Sequence, residues 1–139
     1  MAVITKRISV DLQADGDMAD ISKRVQDAVS KSGMRNGIVT IFTLGSTGAV
    51  STTEYEPGLK KDIPRALERI APSNIDYEHH KTWHDDNGRS HVRSTIIGTS
   101  LVVPFVDGKL TIGTWQQIVV MNLDTSPRRR EVILQIMGE

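Results

Sequence analysis

Cysteine is absent from this chain of 139 residues. Its absence excludes disulfide bonds, thiolate metal ligands and cysteine nucleophiles together, so any metal site or covalent chemistry has to use other side chains. The absence of cysteine leaves the cellular compartment undecided, and the cytoplasm is the default expectation. No thiol redox chemistry is expected.

The chain also lacks an excess of either charge, because 17 Lys and Arg residues balance 17 Asp and Glu residues. The overall charge therefore gives no reason to expect a nucleic acid or a membrane as partner, and any electrostatic site must be local. No apolar run approaches membrane-spanning length. In the opening segment MAVITKRISVDL, apolar and polar residues alternate and the first charge comes at the sixth residue, which indicates a strand rather than a signal peptide. We expect a soluble protein.

Internal repeats, low-complexity tracts and linkers are not found in the sequence. The length is typical of one domain with a substantial core. We therefore predict a single domain over residues 1–139.

Strand and helix patterns alternate in the first half of the chain. Apolar residues between Val3 and Leu12 recur mostly at every second position, as in a half-buried strand. A helix is predicted next, with Asp17 accepting from the amides of its first turn and Gly33 ending it. Residues 36–44 are rich in β-branched side chains and predict a second strand. A glycine-hinged turn then leads to a short Thr-rich strand.

The rest of the sequence predicts one more helix and a run of strands. Residues 58–71 have helical spacing, and Pro64 fits only if Asp62 begins a fresh turn, so this helix should be short or bent. The stretch EHHKTWHDDNGRSH (78–91) has little periodicity and is expected on a loop or an irregular strand edge. The final third predicts strands over residues 94–105, 109–123 and 130–138, with Asp107-Gly108 as a tight hairpin turn.

The fold class that these elements predict is α+β, with a mainly antiparallel sheet and two helices. Two apolar runs, Leu101–Val103 and Ile118–Met121, are too continuous for a sheet with one wet face. Both runs should be covered on both faces, either by the helices or by another subunit.

All four histidines lie in the stretch 78–91. Zinc and similar divalent ions favour neutral imidazole nitrogens, and three protein ligands leave a position for water or substrate. The spacing allows His79, His84 and His91 to converge if the chain doubles back, while His80 would point elsewhere. The carboxylates at 85 and 86 would act as further ligands or fix the imidazole orientation. The alternative is a solvated segment whose histidines form ordinary hydrogen bonds.

Two further segments have the composition of an anion site. LGSTGA (44–49) offers backbone amides and the hydroxyls of Ser46 and Thr47, although a simple turn has the same composition. SPRRRE begins the last strand, where alternation sends Arg128 and Arg130 to one face, and the planar arginine fork suits phosphate. The alternative for these arginines is a basic edge that discourages strand pairing or pairs with Glu131.

Glu54 is the candidate general base, because it follows a hydroxyl-rich strand and its carboxylate can accept a proton from a metal-bound water or a substrate hydroxyl. The alternative is a cap or an ion pair with a lysine. Trp83 and Trp115 are candidates for stacking on a ring ligand. Large aromatics more often lie in a core or an interface, which is the reading favoured for Trp115.

The segments YEHH, DDNGRSH, GTSLVVP, GKLTIGTWQQI and PRRREVILQIMGE, in this order, resemble the YjbQ-like family, often labelled secondary thiamine-phosphate synthase. The likeness extends over nearly the whole chain. It implies an α+β subunit with a β-sandwich body, assembled as a homotrimer with pockets near subunit boundaries. It also implies metal binding through histidine and a weak thiamine-phosphate synthase activity, which joins a pyrimidine diphosphate to a thiazole phosphate with loss of pyrophosphate.

Position by position, the resemblance assigns family histidines to His79 and His91 and the family glutamate to Glu54. One position departs from the family pattern, because Gly45-Ser46 stands where the family has a His-Thr pair. His84, in a segment that many relatives lack, is the predicted replacement for the missing ligand. The resulting expectation is a divalent metal, with zinc as the first candidate, held by His79, His84 and His91.

Two functions follow from these expectations. In the first, an enzyme uses the metal to hold a phosphorylated or diphosphorylated small molecule, Arg128 or Arg130 and the Ser46-Thr47 loop neutralise its oxygens, and Glu54 moves a proton. In the second, a non-catalytic trimer binds a small anionic metabolite or stores metal. In a third possibility, a purely structural module, the protein would bind neither a metal nor a small-molecule ligand.

Overall fold

The computed structural model describes residues 1–139 and contains eight strands and four helices. All strand pairs are antiparallel. The elements in chain order are β1 (Ala2–Leu12), β2 (Asp17–Asp20), α1 (Ser22–Ser32), β3 (Gly37–Thr43), β4 (Gly48–Thr53), α2 (Leu59–Ile70), α3 (Glu78–Trp83), α4 (Gly88–Ile97), β5 (Ser100–Val106), β6 (Lys109–Leu110), β7 (Gln117–Asn122) and β8 (Arg128–Gly138).

The strands form two separate sheets, one of five strands and one of three. The larger sheet has the order β1-β8-β3-β5-β6, and the smaller one has the order β2-β7-β4. The main core joins the inner face of the larger sheet to one face of the smaller sheet and to α1, as the buried side chains Leu134, Ile118 and Val25 show. A second core covers the other face of the smaller sheet, where Val119 contacts side chains from α2 such as Leu67. The α+β class and the sandwich of antiparallel sheets are confirmed.

Strand β7 is covered on both faces, as its continuous apolar run predicted. Ile118 and Val120 belong to the main core, whereas Val119 and Met121 belong to the second core. For Leu101–Val103 of β5, the helices do not supply the predicted second cover, and cover by another subunit stays a prediction. Val103 is buried, but the next outward residue, Val102, is 54% exposed because nothing in the chain covers the outer face of the larger sheet.

Helix α1 spans Ser22–Ser32 and is followed by Gly33, whose φ of 74° gives the predicted left-handed stop. The predicted capping role of Asp17 is wrong, because that residue lies in β2 and pairs with Asn122. Asp20 accepts instead from the amide of Ser22 at 2.9 Å. The helix start therefore follows a short strand that the sequence pattern did not reveal.

Helix α2 runs unbroken through Pro64 from Leu59 to Ile70. Asp62 does not begin a new turn, because its amide donates to Gly58 at 2.9 Å. Pro64 lacks an amide hydrogen and so leaves the carbonyl one turn earlier without its usual helical donor. The predicted helix exists, but its predicted restart is wrong.

The histidine stretch is helical, which corrects the expectation of a loop or strand edge. It forms α3 and the first four residues of α4, separated by a turn at residues 84–87. Helix α4 also includes residues 94–97, which the sequence assigned to a strand, and residues 111–116 between β6 and β7 are likewise not strand. The β-branched STII segment is therefore helical against its local propensity, and tertiary packing decides its state.

None of the four helices is both long enough and apolar enough to cross a membrane.

Candidate functional site

The loop between β3 and β4 forms one wall of the candidate site. Its entry is fixed by the amide of Leu44, which donates to Glu131 at 3.0 Å, and its exit by the carbonyl of Thr47, which accepts from Leu123 at 2.9 Å. Gly45 has a φ of 102°, a conformation that favours glycine. The amides of Gly45, Ser46 and Thr47 donate to no protein acceptor. Three consecutive donors are therefore left for a ligand or solvent.

Arg130 lies directly behind this loop and is 6% exposed. Its Nη2 donates to Thr47 Oγ1 at 2.7 Å and to Asn122 Oδ1 at 2.6 Å. Its Nε is buried without a partner. Burial lowers the pKa of Arg130 and nearby Asp124 raises it, but arginine stays protonated at neutral pH because its ordinary pKa is so high.

Asp124 supplies the nearest negative charge and is 3% exposed. It accepts from Thr47 Oγ1 at 3.0 Å, from Arg128 Nε at 3.0 Å and from the amide of Thr125 at 2.7 Å. Burial opposes its ionisation, but the hydrogen bonds from Thr125 and Thr47 and the charge of Arg128 outweigh burial and lower its pKa. Asp124 is therefore ionised and already paired with Arg128, and it makes no direct ion pair with Arg130.

Two histidines form the opposite wall. His91, on α4, makes a hydrogen bond with the backbone of Ser46, and its ring centroid lies 4.4 Å from that of His79. Burial, reinforced by the proximity of His79, lowers the pKa of His91, so its imidazole is neutral at neutral pH. His79 Nε2 lies 3.3 Å from Asp85 Oδ2. The structure therefore brings His79 and His91 together beside the Ser46 loop.

His80 has a structural role. Its Nε2 accepts from the amide of Gly88 at 3.0 Å, which caps the start of α4, and its ring packs against Tyr77 with centroids 5.5 Å apart. Its ring also lies 6.5 Å from that of His79, although the sequence expected His80 to point elsewhere on an extended segment. The segment is helical, and the Nε2 of His80 is occupied by the amide of Gly88.

His84 is not brought to the other two predicted ligands. It ends α3 in a left-handed conformation with φ of 55° and is exposed. The structure contains no group of three His, Cys, Asp or Glu side chains arranged to hold a metal ion. The residues present therefore do not fit the predicted three-histidine centre, and metal binding by His79, His84 and His91 stays a prediction.

Glu54 lies at the other end of β4 from Ser46 and Thr47, and it is exposed. Seven steps along the chain, through the six residues of β4, separate Glu54 from Thr47 by roughly 20 Å, since each extended residue adds about 3.3 Å. Within one chain, the predicted general base therefore does not reach the loop or the histidines.

The two tryptophans are both exposed, Trp83 at 71% and Trp115 at 73%. Neither belongs to the core of the chain. A core position for Trp115 is therefore wrong, and an interface or ligand-stacking role for either residue stays a prediction.

Sequence reasoning missed Asn122 and Asp124, which hold Arg130 and Arg128 in place. A signal was present, because these polar residues follow the apolar run Ile118–Met121 at alternate positions. Polar side chains at the end of a buried strand are unusual unless they are hydrogen-bonded. That pattern marks the end of β7 as a polar site.

Comparison with known proteins gives a consistent result. The model of the family described as "UPF0047 protein YjbQ-like" matches residues 6–139. A UPF0047 protein of Methanothermobacter thermautotrophicus is 34% identical over 139 residues, covering 100% of this chain and 95% of the relative. A UPF0047 protein of Archaeoglobus fulgidus is 36% identical over 121 residues, covering 87% of this chain and 91% of the relative.

Solved structures agree with the sequence comparison. A YbjQ-like protein of unknown function from Sulfolobus solfataricus P2 superposes with a TM-score of 0.93 at 34% identity, covering 99% of each chain. A hypothetical protein from Aeropyrum pernix K1 superposes with a TM-score of 0.91 at 32% identity, covering 98% of this chain and 99% of the other. The fold, the family match and the full-length relatives together show that this chain belongs to the UPF0047 YjbQ-like family.

Proposed function

We infer that this protein binds the phosphate or diphosphate group of a small molecule at the loop formed by Gly45, Ser46 and Thr47. The observation that carries the inference is the buried guanidinium of Arg130, whose Nη1 makes no hydrogen bond with the protein and lies beside Gly45, in a loop with three unpaired backbone amides. Burying a charge and leaving a donor unpaired both cost free energy. An oxyanion at this loop would recover part of that cost.

The finer proposal is the transfer reaction that the family resemblance implies. A pyrimidine diphosphate would join a thiazole phosphate, and pyrophosphate would leave as the new bond forms. The loop amides and Arg130 would stabilise the negative charge that develops on the departing pyrophosphate. Arg128 would contribute less, because its Nε already donates to Asp124 at 3.0 Å.

A non-catalytic anion-binding protein is the second candidate, and the position of Glu54 favours it. The predicted general base lies at the far end of β4 and is exposed, so one chain presents an anion site without that base. In this candidate any synthase activity would be incidental.

Assembly as a homotrimer belongs to the same proposal. Several apolar side chains on the outer face of the larger sheet have no cover within the chain, and such faces are typical of interfaces between subunits. Their exposed fractions are Val3 52%, Ile38 39%, Phe42 42%, Val102 54%, Val106 54% and Met137 41%.

The test combines binding with turnover. Calorimetric titration with inorganic pyrophosphate should show binding to the parent and about tenfold weaker binding to Arg130→Lys, since lysine keeps the charge but loses the planar fork. The control is Arg129→Lys, because Arg129 points to the other face of β8 near Asp11. No pyrophosphate binding by the parent would contradict the proposal.

Pyrophosphate release from the two substrates together then separates the two candidates. Release that falls in Arg130→Lys but not in Arg129→Lys would support the transferase. Binding without release would support the non-catalytic protein.

A further inference from the structure

We propose that the Arg130 guanidinium is a built-in cation that makes oxyanion binding at the Gly45 loop independent of any metal ion. This inference rests on the proposed phosphate-binding function and deepens it. It concerns what neutralises the ligand: a metal ion held by histidines, as the family resemblance implies, or a fixed side chain.

The orientation of Arg130 is the first argument. Its Nη2 is held by Thr47 and Asn122, at 2.7 and 2.6 Å. Nη1 makes no hydrogen bond with the protein and lies beside the loop, whereas Nε is buried without a partner. An ideal Cβ built on Gly45 would lie 3.0 Å from Nη1, and one built on Gly48 would lie 3.1 Å from Nε. The absence of a side chain at Gly45 therefore leaves Nη1 uncovered by that residue.

Gly45 itself is the second argument. A side chain at this position would place its Cβ 3.0 Å from Arg130 Nη1, so the guanidinium would have to shift by a few tenths of an ångström to admit it. The φ of 102° at Gly45 also disfavours a residue with a Cβ. At this point the loop therefore presents the cation of Arg130 and no side chain from position 45.

The local charges are the third argument. Asp124 is already paired with Arg128, and Asp85 lies against His79 rather than against either arginine. Arg130 makes no ion pair of its own and is 6% exposed. The site therefore keeps about one positive charge that no protein carboxylate contacts, and its unpaired Nη1 can donate a charge-assisted hydrogen bond to an oxyanion.

The ligand class that fits is a terminal phosphate group. One or two of its oxygens would accept from Nη1 and from the amides of Gly45, Ser46 and Thr47, the arrangement of an anion-binding nest. The His79–His91 pair would then flank the ligand as hydrogen-bonding groups.

The experiment measures binding of inorganic phosphate by calorimetry to protein treated with EDTA and dialysed, with and without added zinc. The expected result is the same affinity in both conditions. Arg130→Gln should weaken phosphate binding by about tenfold or more, whereas Arg129→Gln, which removes the same charge from an exposed position, should leave it unchanged. A thermal melt of each variant checks folding.

A second variant keeps the test decisive if Arg130→Gln does not fold. Gly45→Ala retains the arginine but directs a Cβ at Nη1, so it should weaken phosphate binding. Its control is Gly98→Ala, because Gly98 has a similar φ of 98° and its Cβ would meet nothing within 4 Å. Equal loss in both alanine variants would mean that backbone strain, and not the contact with Arg130, is responsible, and would overturn the proposal.

The outcomes separate this proposal from the proposed function. Phosphate binding that appears only with zinc would overturn metal independence and leave phosphate binding intact. No phosphate binding in either condition would contradict both. Binding of equal strength in the parent, Arg130→Gln and Gly45→Ala would place the phosphate elsewhere on the protein.

Discussion

Arg93 connects helix α4 to the end of helix α2 through a single buried side chain. It is 3% exposed, and its Nε and Nη2 donate to the carbonyl of Ala71 at 3.0 and 2.8 Å. Nη2 also donates to Glu68 at 2.7 Å. The carboxylate of Glu68 accepts in addition from the amide and hydroxyl of Ser73. One arginine thus satisfies a carbonyl at a helix end and positions α4, which carries His91.

The pKa of Glu68 predicts how this connection responds to acid. Hydrogen bonds from Ser73 and Arg93 lower it to about 2. Because the folded-state pKa is depressed, Glu68 stabilises the fold above its unfolded pKa of about 4.3, and this contribution is lost as pH falls toward 2. Melting temperatures between pH 5 and pH 2 should fall more steeply for the parent than for Glu68→Gln.

The control for this prediction is Glu78→Gln, which removes an exposed carboxylate paired only with Lys81. The Glu78→Gln variant should keep the steep slope of the parent. Parallel slopes for the parent and Glu68→Gln would contradict the role assigned to Glu68.

At the residue scale, the sequence predicts the chemistry of the candidate site better than its geometry. Alternation along a strand is a local property, so Arg128 and Arg130 could be assigned to one face. Asn122, which accepts a hydrogen bond from Arg130, lies on β7. No local sequence pattern predicts that the ends of β7 and β8 lie close together. The convergence of His84 with the other histidines depended on the path of a turn, and that path is set by contacts distant in sequence.

At the element scale, the strands were predictable and the α3–α4 pair was not. Strands β1, β3 and β8 show alternation or β-branched runs over seven or more residues, long enough for the pattern to be read. Helix α3 has only six residues and none of them is buried, so it has no apolar stripe. Helix α4 buries Ser90, Arg93 and Ser94. Because these residues are polar, the buried face of α4 does not appear as an apolar stripe in the sequence.

The α3–α4 pair depends on close packing at Gly88. An ideal Cβ there would lie 2.5 Å from Tyr77 Cβ and 2.9 Å from His80 Nε2. Gly88→Ala should therefore force these side chains apart and weaken the amide bond from Gly88 to His80. We expect a loss of about 1–3 kcal/mol in the free energy of unfolding, measured by urea denaturation.

Gly113→Ala is the matched control, because its Cβ would make only an ordinary contact, 3.7 Å from Gln116 Oε1. The Gly88→Ala variant should also bind phosphate more weakly, since His79 and His91 are carried by the two displaced helices. A Gly88→Ala protein as stable as Gly113→Ala would show that the pair tolerates repacking.

At the scale of the whole molecule, the two faces of the larger sheet differ, because the chain covers the inner face and leaves the outer face exposed. The inner face is closed by the smaller sheet and α1. On the outer face, register places Val3, Met137, Ile38 and Pro104 in one row across four strands. A row of apolar side chains across a sheet is a surface that a second copy of the chain can cover without burying charge.

The proposed trimer therefore predicts a specific effect at Val102, which is 54% exposed beside that row. The parent should have about three times the chain mass of 15.4 kDa by light scattering after size exclusion. Val102→Glu would bury an unpaired carboxylate in the interface, a cost that outweighs the few kcal/mol gained from each apolar side chain. The variant should run as a folded monomer with an unchanged circular dichroism spectrum.

Ile75→Glu tests whether the effect is specific to this face, because Ile75 is 50% exposed but belongs to the segment after α2, the helix that packs on the smaller sheet. That variant should remain trimeric. A monomeric parent would contradict the trimer, and a Val102→Glu protein that keeps the parent mass would move the interface to another surface. Dissociation by Val102→Glu with phosphate binding retained would further show that each chain holds a complete anion site, as the Arg130 contacts within one chain require.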